Sequence, residues 1–202
     1  GPPPPGRVLE VMDLGKVDIE NLQPGIPNKM CGEASASYIQ KSAKLALSHK
    51  IDAVTTAPIN KEILNAAGYF YPGHTEFFAA LTMTSDFGMM MVGGGLRIML
   101  TTIHLAMSEV PKQIKKENVL RSIRLAHQAM SYFEIQNPDR PRIAVAALNP
   151  HAGEGKLFGS EEWDVIFPAV LEARGEGLDV SDPLPADTLF YKAKEGYYDV
   201  VV

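Results

Sequence analysis

The sequence predicts an α/β protein with a largely parallel sheet. Segments with the apolar spacing of helices alternate with short apolar runs that are typical of buried strands. The composition agrees, because 46% hydrophobic and 21% charged residues are usual for a globular protein and disfavour intrinsic disorder. A chain of 202 residues has room for one large domain or two small ones.

The first half of the chain contains three predicted helices and one predicted strand. We expect the first helix over residues 33–49 and a short buried strand over residues 51–55. Asn60 can cap a second helix over residues 61–67, and Gly68 ends it. Pro72 and Gly73 lead into a third helix over residues 75–82.

The second half begins with a predicted hairpin, in which residues 89–92 and 96–103 are strands joined by three glycines. Residues 118–133 have helical apolar spacing, residues 143–148 form an apolar strand, and residues 161–173 form another helix. Residues 179–187 contain three aspartates and two prolines and are expected to be a loop. A further strand begins at residue 198. At the other end, residues 1–7 are proline-rich and predict an extended arm.

Charge and cysteine content exclude several classes of protein. Nineteen basic against 24 acidic residues give a net charge of −5, which is the wrong sign for a general nucleic-acid binder. No apolar run reaches the roughly 18 residues that a membrane helix needs, so no membrane partner is expected. The single cysteine, Cys31, excludes an intrachain disulfide and fits a reducing compartment such as the cytoplasm.

Three of the five histidines lie where strands or turns are expected to end, which is where α/β proteins bind ligands. These are His74, His104 and His151, whereas His49 and His127 lie within or at the end of predicted helices and are expected to be surface or packing residues. His104 and His151 stand 47 positions apart, so they form no local metal motif. Either they bind a divalent metal or they are hydrogen-bonded loop histidines.

One helix start and one of two glycine-rich segments are candidate anion sites. His74 and Thr75 precede Glu76 at a predicted helix N-terminus, which favours either an anion site or simple capping by Thr75. The glycines after His151 could let the backbone approach a phosphate, but Pro150 and Leu157 exclude a Walker A loop. The run of three glycines from Gly93 is no dinucleotide fingerprint and is interpreted as a turn.

Several motifs, in this order, resemble the 4-hydroxythreonine-4-phosphate dehydrogenase family of the vitamin B6 pathway. They are Asp-Ala-Val-Thr-Thr-Ala-Pro-Ile-Asn-Lys at residues 52–61, Gly-His-Thr-Glu-Phe-Phe at 73–78, Thr-Thr-Ile-His-Leu at 101–105 and Leu-Asn-Pro-His-Ala-Gly-Glu-Gly at 148–155. Asp-Thr-Leu-Phe at residues 187–190 resembles a further block of that family. The resemblance spans nearly all of residues 8–202.

The resemblance implies an isocitrate/isopropylmalate dehydrogenase-like α/β/α fold and a homodimer whose active site is shared between subunits. It implies oxidation of a phosphorylated hydroxy acid with NAD or NADP, followed by loss of carbon dioxide. By motif, His74 and Thr75 match the substrate-binding pair of the family. His104 and His151 match two of its three ligands to a divalent metal (zinc, magnesium or cobalt), and Asp187 is assigned a proton-handling role.

The chain also departs from the family pattern, because members are longer at both ends. The third metal-binding histidine belongs to a Tyr-His-Asp-Gln-Gly motif that would follow Val202, and most of the cofactor site lies beyond it. We therefore expect residues 8–202 to be a central part of the enzyme without a complete metal site, and we assign no cofactor-binding residue. Alternatives are a related dehydrogenase of threonate or erythronate 4-phosphate, or a non-catalytic module for dimerisation or phosphate binding.

Overall fold

The computed structural model describes residues 10–202, so the arm expected over residues 1–7 lies outside the described residues. The chain divides into two compact units. Unit 1 extends to Ser85, and unit 2 comprises Asp86–Val202. Within the described residues no helix has the length and apolar character that crossing a membrane requires.

Unit 1 contains three helices packed around a small core. They are α1 Lys29–Leu47, α2 Lys61–Ala66 and α3 His74–Thr82. The core comprises Ala36, Ile39, Leu64 and Phe77, and the ring of Tyr71 stacks on Phe77 at a centroid distance of 4.2 Å. α1 begins four residues earlier than expected because Asn28 caps it, accepting a hydrogen bond from the N–H of Met30 at 2.9 Å.

The ends of α2 and α3 agree closely with expectation. The side chain of Asn60 accepts a hydrogen bond from the N–H of Ile63 at 3.1 Å, as a helix cap should. Gly68 has a φ of +91°, the left-handed conformation that ends a helix and favours glycine. α3 begins at His74, one residue before its expected start.

The strand expected over residues 51–55 is wrong, because this segment pairs with no other strand, and residues 52–55 are exposed. A strand needs a neighbour that takes its backbone hydrogen bonds. None of the described residues of unit 1 forms a strand, so the apolar run has no such neighbour.

Unit 2 is built on a five-stranded sheet with the order β1-β2-β5-β3-β4. β1 pairs antiparallel with β2, whereas β2, β5, β3 and β4 run parallel, which confirms the largely parallel sheet. The strands are β1 Met89–Gly93, β2 Leu96–Leu100, β3 Ile143–Ala146, β4 Val180–Leu184 and β5 Val200–Val201. The expected hairpin turn is Gly94–Gly95, with φ of +58° and +85°.

Helices cover both faces of this sheet. The side chains of Ile143 and Val145 pack in the cluster formed with α5 and α6, and Ala144, which points the other way, packs with Leu189 of α7. β3 is therefore buried on both faces in an α/β/α arrangement. The helices and turns are a 3₁₀ turn Met107–Glu109, α4 Val110–Gln113, α5 Lys116–Ala129, 3₁₀ turns Met130–Tyr132 and Glu154–Lys156, a π-helical turn Glu162–Ile166, α6 Phe167–Gly175 and α7 Ala186–Lys194.

The loop expected over residues 179–187 is wrong, since this segment contains β4 and the start of α7. Its aspartates and prolines indicated a loop, but pairing with β3 outweighs that local preference. Pro183 is tolerated because β4 is an edge strand, and the ladder is irregular between Ile143 and Val145. Two other predicted strands are shorter than expected, because β2 ends at Leu100 and β3 ends at Ala146.

Candidate functional site

Three of the predicted site residues follow parallel strands of unit 2. His104 follows β2, His151 follows β3 and Asp187 follows β4. Because these strands run parallel, their carboxyl ends lie at one edge of the sheet, where α/β proteins bind ligands. The topology thus assigns His104, His151 and Asp187 to segments that leave the same edge.

His104 lies in the irregular segment between β2 and the 3₁₀ turn. The strand ends at Leu100, so His104 does not end it, as the sequence suggested, but comes four residues later. Its side chain is exposed, and its backbone has a φ of +56°. Non-glycine residues rarely adopt this left-handed conformation, and functional sites are enriched in it.

His151 is exposed on the loop that joins β3 to the π-helical turn. Its Nδ1 lies 3.8 Å from a carboxylate oxygen of Glu154, too far for a hydrogen bond, and its ring centroid lies 5.3 Å from that of Phe158. Within the described part of the chain, no hydrogen bond reaches a ring nitrogen of His104 or His151. The ring nitrogens of both histidines are therefore available to other partners.

The side chains present supply only part of a metal site. Two imidazoles are suitable donors for Zn²⁺ and similar ions. Among residues 10–202, however, no group of three or more His, Cys, Asp or Glu side chains is placed to hold a metal ion. The donor types therefore fit a metal.

A cavity of about 260 Å³ opens where the parallel strands end. Its lining includes Thr101 and Thr102 after β2, Ala147 and Leu148 after β3, and Val202 after β5. Neither His104 nor His151 is among the residues that line it. The cavity is largely apolar, so it offers space at the sheet edge but few polar contacts.

Asp187 is the second residue of α7 and is exposed. One oxygen of its carboxylate accepts a hydrogen bond from the N–H of Thr188 at 2.7 Å. An acidic side chain in the first turn also stabilises the helix through its dipole. Asp187 therefore has a local structural role at the helix start.

In unit 1, His74 and Thr75 are the first two residues of α3. The helix is capped by Gly73, without a side-chain hydrogen bond, so the interpretation of Thr75 as the cap is wrong. Glu76 follows in the first turn and brings one negative charge to this end. The N–H groups of the first turn thus have no capping side chain, which is the arrangement that binds anions.

His74 also lines a cavity of about 260 Å³ within unit 1. The other walls are α1, through Ser35, Tyr38 and Ser42, and the irregular residues 54–59. Thr75 does not line this cavity. His74 and Phe78 have nearly parallel rings with centroids 6.3 Å apart, and the imidazole is half-buried.

The remaining histidines lie as expected, and one acidic residue was missed. His49 is exposed just after α1, and His127 is half-buried on α5. Glu162 is buried beside the loop that carries His151, where its carboxylate accepts hydrogen bonds from Leu148 and Asn149. No local pattern shows that Glu162 is buried while its neighbours Glu161 and Asp164 are half-buried and exposed, so only the fold identifies it.

A three-layer α/β unit with imidazole and carboxylate side chains at the carboxyl edge of its parallel strands is the architecture of many α/β enzymes. The family model described as pyridoxal phosphate biosynthetic protein PdxA matches residues 5–202. The chain belongs to this family.

Known relatives agree with this assignment. The chain is 46% identical over 195 residues to the 4-hydroxythreonine-4-phosphate dehydrogenase of Geobacter metallireducens, covering 96% of this chain and 57% of that protein. It is 43% identical over 195 residues to the D-threonate 4-phosphate dehydrogenase of Cupriavidus necator, again covering 96% of this chain and 57% of that protein. The chain thus spans somewhat more than half the length of these relatives.

A solved structure confirms the fold class. The 4-hydroxythreonine-4-phosphate dehydrogenase of Klebsiella pneumoniae superposes with a TM-score of 0.86 at 38% sequence identity. The match covers 91% of this chain and 55% of that one.

Proposed function

We propose that the protein containing this chain is a metal-dependent, NAD- or NADP-linked dehydrogenase that oxidises and decarboxylates 4-phosphooxy-L-threonine in vitamin B6 biosynthesis. The observation that carries the proposal is the position of His104 and His151, in a member of this family, after parallel strands that end at one sheet edge. Relatives that bear the corresponding enzyme name are 43% and 46% identical to the chain.

In this proposal His104 and His151 are ligands of a divalent metal. β5 lies between β2 and β3, so a histidine that follows β5, where the resemblance puts the third ligand, would enter between the two loops. Imidazole donors favour zinc or cobalt over magnesium. When bound, such an ion supplies Lewis-acid chemistry that lowers the pKa of a coordinated hydroxyl.

His74 and Thr75 bind the substrate in this proposal. The N-terminus of α3, which has no side-chain cap, and the cavity beside His74 support it, because free backbone N–H groups and an imidazole are suited to a phosphate or carboxylate. Glu76 lies in the same turn, and its negative charge opposes an anion there. The contribution of His74 must therefore outweigh this repulsion.

Asp187 is assigned to move a proton, because its carboxylate is exposed and follows β4 at the same sheet edge. The nicotinamide cofactor, the homodimer with a shared site and the cytoplasmic location follow from the family resemblance. The proposal includes these three features. Residues 8–202 are then the central part of the enzyme.

The test is an assay of the full-length protein on 4-phosphooxy-L-threonine with NAD and with NADP. Each assay is run after metal removal and after adding back zinc, cobalt or magnesium. We expect reduced cofactor and carbon dioxide in equal amounts, only when a metal is present. Turnover that is unchanged after complete metal removal would contradict the metal-dependent mechanism.

A second candidate is dehydrogenation of D-threonate 4-phosphate or the related erythronate 4-phosphate. The 43% identity to the Cupriavidus necator enzyme supports it, since it is close to the identity with the enzymes of the first candidate. These substrates share the phosphate and the hydroxyl but lack the amine. Comparing kcat/KM for the three substrates on one preparation decides between the candidates.

A third candidate is a non-catalytic role for this polypeptide on its own. The incomplete set of metal ligands in residues 10–202 supports this role. The mass of the protein purified from cells, set against the length of its gene, shows whether such a polypeptide exists. A species of the full gene length alone would exclude it.

A further inference from the structure

Glu162 is the one charged residue that is buried within residues 10–202, with 3% of its surface exposed. Charged side chains are seldom fully buried unless other groups compensate for the lost water. Glu162 has no basic partner in the described part of the chain, so backbone N–H groups provide its compensation. Its position in a π-helical turn is also uncommon, and such turns are frequent at functional sites.

The carboxylate of Glu162 binds the segment that leaves β3. Its Oε1 accepts hydrogen bonds from the N–H groups of Leu148, at 2.9 Å, and Asn149, at 3.2 Å. Both residues lie just past the end of β3, where the sheet no longer provides acceptors. Hydrogen bonds to a carboxylate are stronger than those between neutral groups, so this contact determines the direction in which the chain leaves the sheet.

Asn149 extends this control to His151. Its Oδ1 accepts hydrogen bonds from the N–H groups of His151, at 3.0 Å, and Gly153, at 3.1 Å. Its Nδ2 donates to the carbonyl oxygen of Phe158 at 3.1 Å. The side chain of Asn149 therefore joins both sides of the loop, and the backbone N–H of the same residue is bound by Glu162.

The second oxygen of Glu162 lies against the loop itself. Oε2 has no hydrogen-bond partner, and a Cβ added to Gly153 would lie only 2.9 Å from it. The residues around Gly153 have strained backbones, since Ala152, Glu154 and Lys156 have φ of +49°, +39° and +78°. Such conformations persist only where the surroundings hold them in place.

We propose that Glu162 is a positioning residue: through the N–H groups of Leu148 and Asn149 it holds the strained loop in the orientation from which His151 reaches its ligand. The inference about His151 rests on the proposed function, but the effect on the loop does not. Glu162 touches no reacting atom in this proposal and acts only through the backbone.

Three variants of the full-length protein test this proposal. Glu162→Ala removes the acceptor of both N–H groups, whereas Glu162→Gln keeps a carbonyl oxygen in the place of Oε1. Asp164→Ala is the matched control, because Asp164 lies in the same π-helical turn but is exposed, and its carboxylate pairs with Lys156 at 2.8 Å and not with residues 148–153. Amide hydrogen exchange of residues 148–153, zinc affinity, kcat and KM are measured for each.

In Glu162→Ala we expect amide exchange of residues 148–153 to be about tenfold faster or more, because the loop opens locally. Zinc affinity should fall about 10- to 100-fold, the usual cost of losing a group that orients a metal ligand. kcat should fall by more than KM changes. Glu162→Gln should restore most of the protection, and Asp164→Ala should match the wild type.

If Glu162→Ala does not fold, Asn149→Ala tests the next link in the same series of hydrogen bonds, from the Asn149 side chain to the N–H groups of His151 and Gly153. Exchange should then rise at His151 and Gly153, while Leu148, still bound by Glu162, stays protected. Unchanged exchange in Glu162→Ala, equal effects in Asp164→Ala, or full zinc affinity despite an open loop would overturn the proposal. If the wild type neither binds zinc nor turns over substrate, the proposed function is wrong, and the exchange data still decide the role of Glu162 in the loop.

Discussion

Arg142 and Asp199 join the starts of two central strands, β3 and β5, and Arg142 donates three hydrogen bonds to the carboxylate of Asp199. Asp199 Oδ2 accepts from the backbone N–H of Arg142 at 2.7 Å and from its Nε at 3.0 Å, and Oδ1 accepts from the guanidinium at 2.9 Å. The Asp199 side chain is only 11% exposed. Burial alone would raise the pKa of Asp199, but the hydrogen bonds and charge of Arg142 outweigh it and hold the pKa below its usual value.

The first prediction is that Asp199→Asn destabilises unit 2 by about 2 kcal/mol at neutral pH, the usual contribution of hydrogen bonds to a charged group. Because the folded pKa of Asp199 is lowered, this stabilisation is complete above the unfolded pKa and is lost as the pH falls through the folded value. The difference between wild type and variant should therefore shrink below about pH 4. Urea unfolding between pH 7 and pH 2 measures it.

Glu176→Gln is the control for this prediction. Glu176 also accepts two hydrogen bonds from an arginine, Arg124, but both side chains are well exposed. Exposed ion pairs usually contribute only about 0–1 kcal/mol. An equal loss of stability in the two variants would show that burial does not set the strength of the Arg142–Asp199 contact.

The second prediction concerns the contact between α1 and α2. A Cβ on Gly32 would lie 2.3 Å from the carbonyl oxygen of Ile63, so Gly32→Ala must push the helices apart. We expect a loss of about 1–3 kcal/mol, as for other overpacked sites, measured by thermal unfolding. Gly175→Ala is the control, because no atom lies within 4 Å of its added Cβ. A neutral Gly32→Ala would mean that α1 and α2 are not in close contact.

The third prediction is that His104→Ala and His151→Ala each lower the zinc affinity of the full-length protein about tenfold or more, since each removes a proposed ligand. His49→Ala should leave the affinity unchanged, because His49 is exposed beyond the end of α1. Calorimetric titration with zinc makes the measurement. Unchanged affinity in either of the first two variants removes that histidine from the ligand set.

The fourth prediction separates substrate binding from metal binding. His74→Ala should weaken binding of the phosphorylated substrate by more than it weakens zinc binding, because His74 lines a cavity at the N-terminus of α3. Substrate KM and zinc affinity are compared in the same variant. His127→Ala, on α5, serves as the control and should keep activity within a few-fold of the wild type. If His74→Ala weakens substrate binding and zinc binding equally, His74 is a metal ligand and not a substrate-binding residue.

The fifth prediction is that the 202-residue chain by itself binds zinc more weakly than micromolar and shows no turnover. The physical reason is that residues 10–202 contain no group of three metal-ligating side chains. Zinc titration of this chain, with NADH formation measured in parallel, checks both statements. Sub-micromolar binding would show that His104 and His151 suffice with ligands from elsewhere in the chain.

Local sequence features predicted most helices and the hairpin correctly. The apolar spacing of residues 118–133 is sufficient to predict α5, and Asn60 and Gly68 are sufficient to predict the two ends of α2. These elements depend on hydrogen bonds and contacts within a few residues, which a sequence displays directly. The family motifs likewise gave His74, Thr75, His104, His151 and Asp187 as candidates before any fold was known.

Only the tertiary structure decided which extended segments are strands and which polar side chain is buried. Residues 51–55 include Ile51, Ala53 and Val54 but are unpaired, whereas β4 contains Pro183 and is paired, because a strand exists only where a distant segment completes its hydrogen bonds. Glu162 is buried because Leu148 and Asn149, 14 and 13 residues away, bring two N–H groups to its carboxylate. Composition and spacing describe neighbours along the chain, and these features depend on neighbours in space.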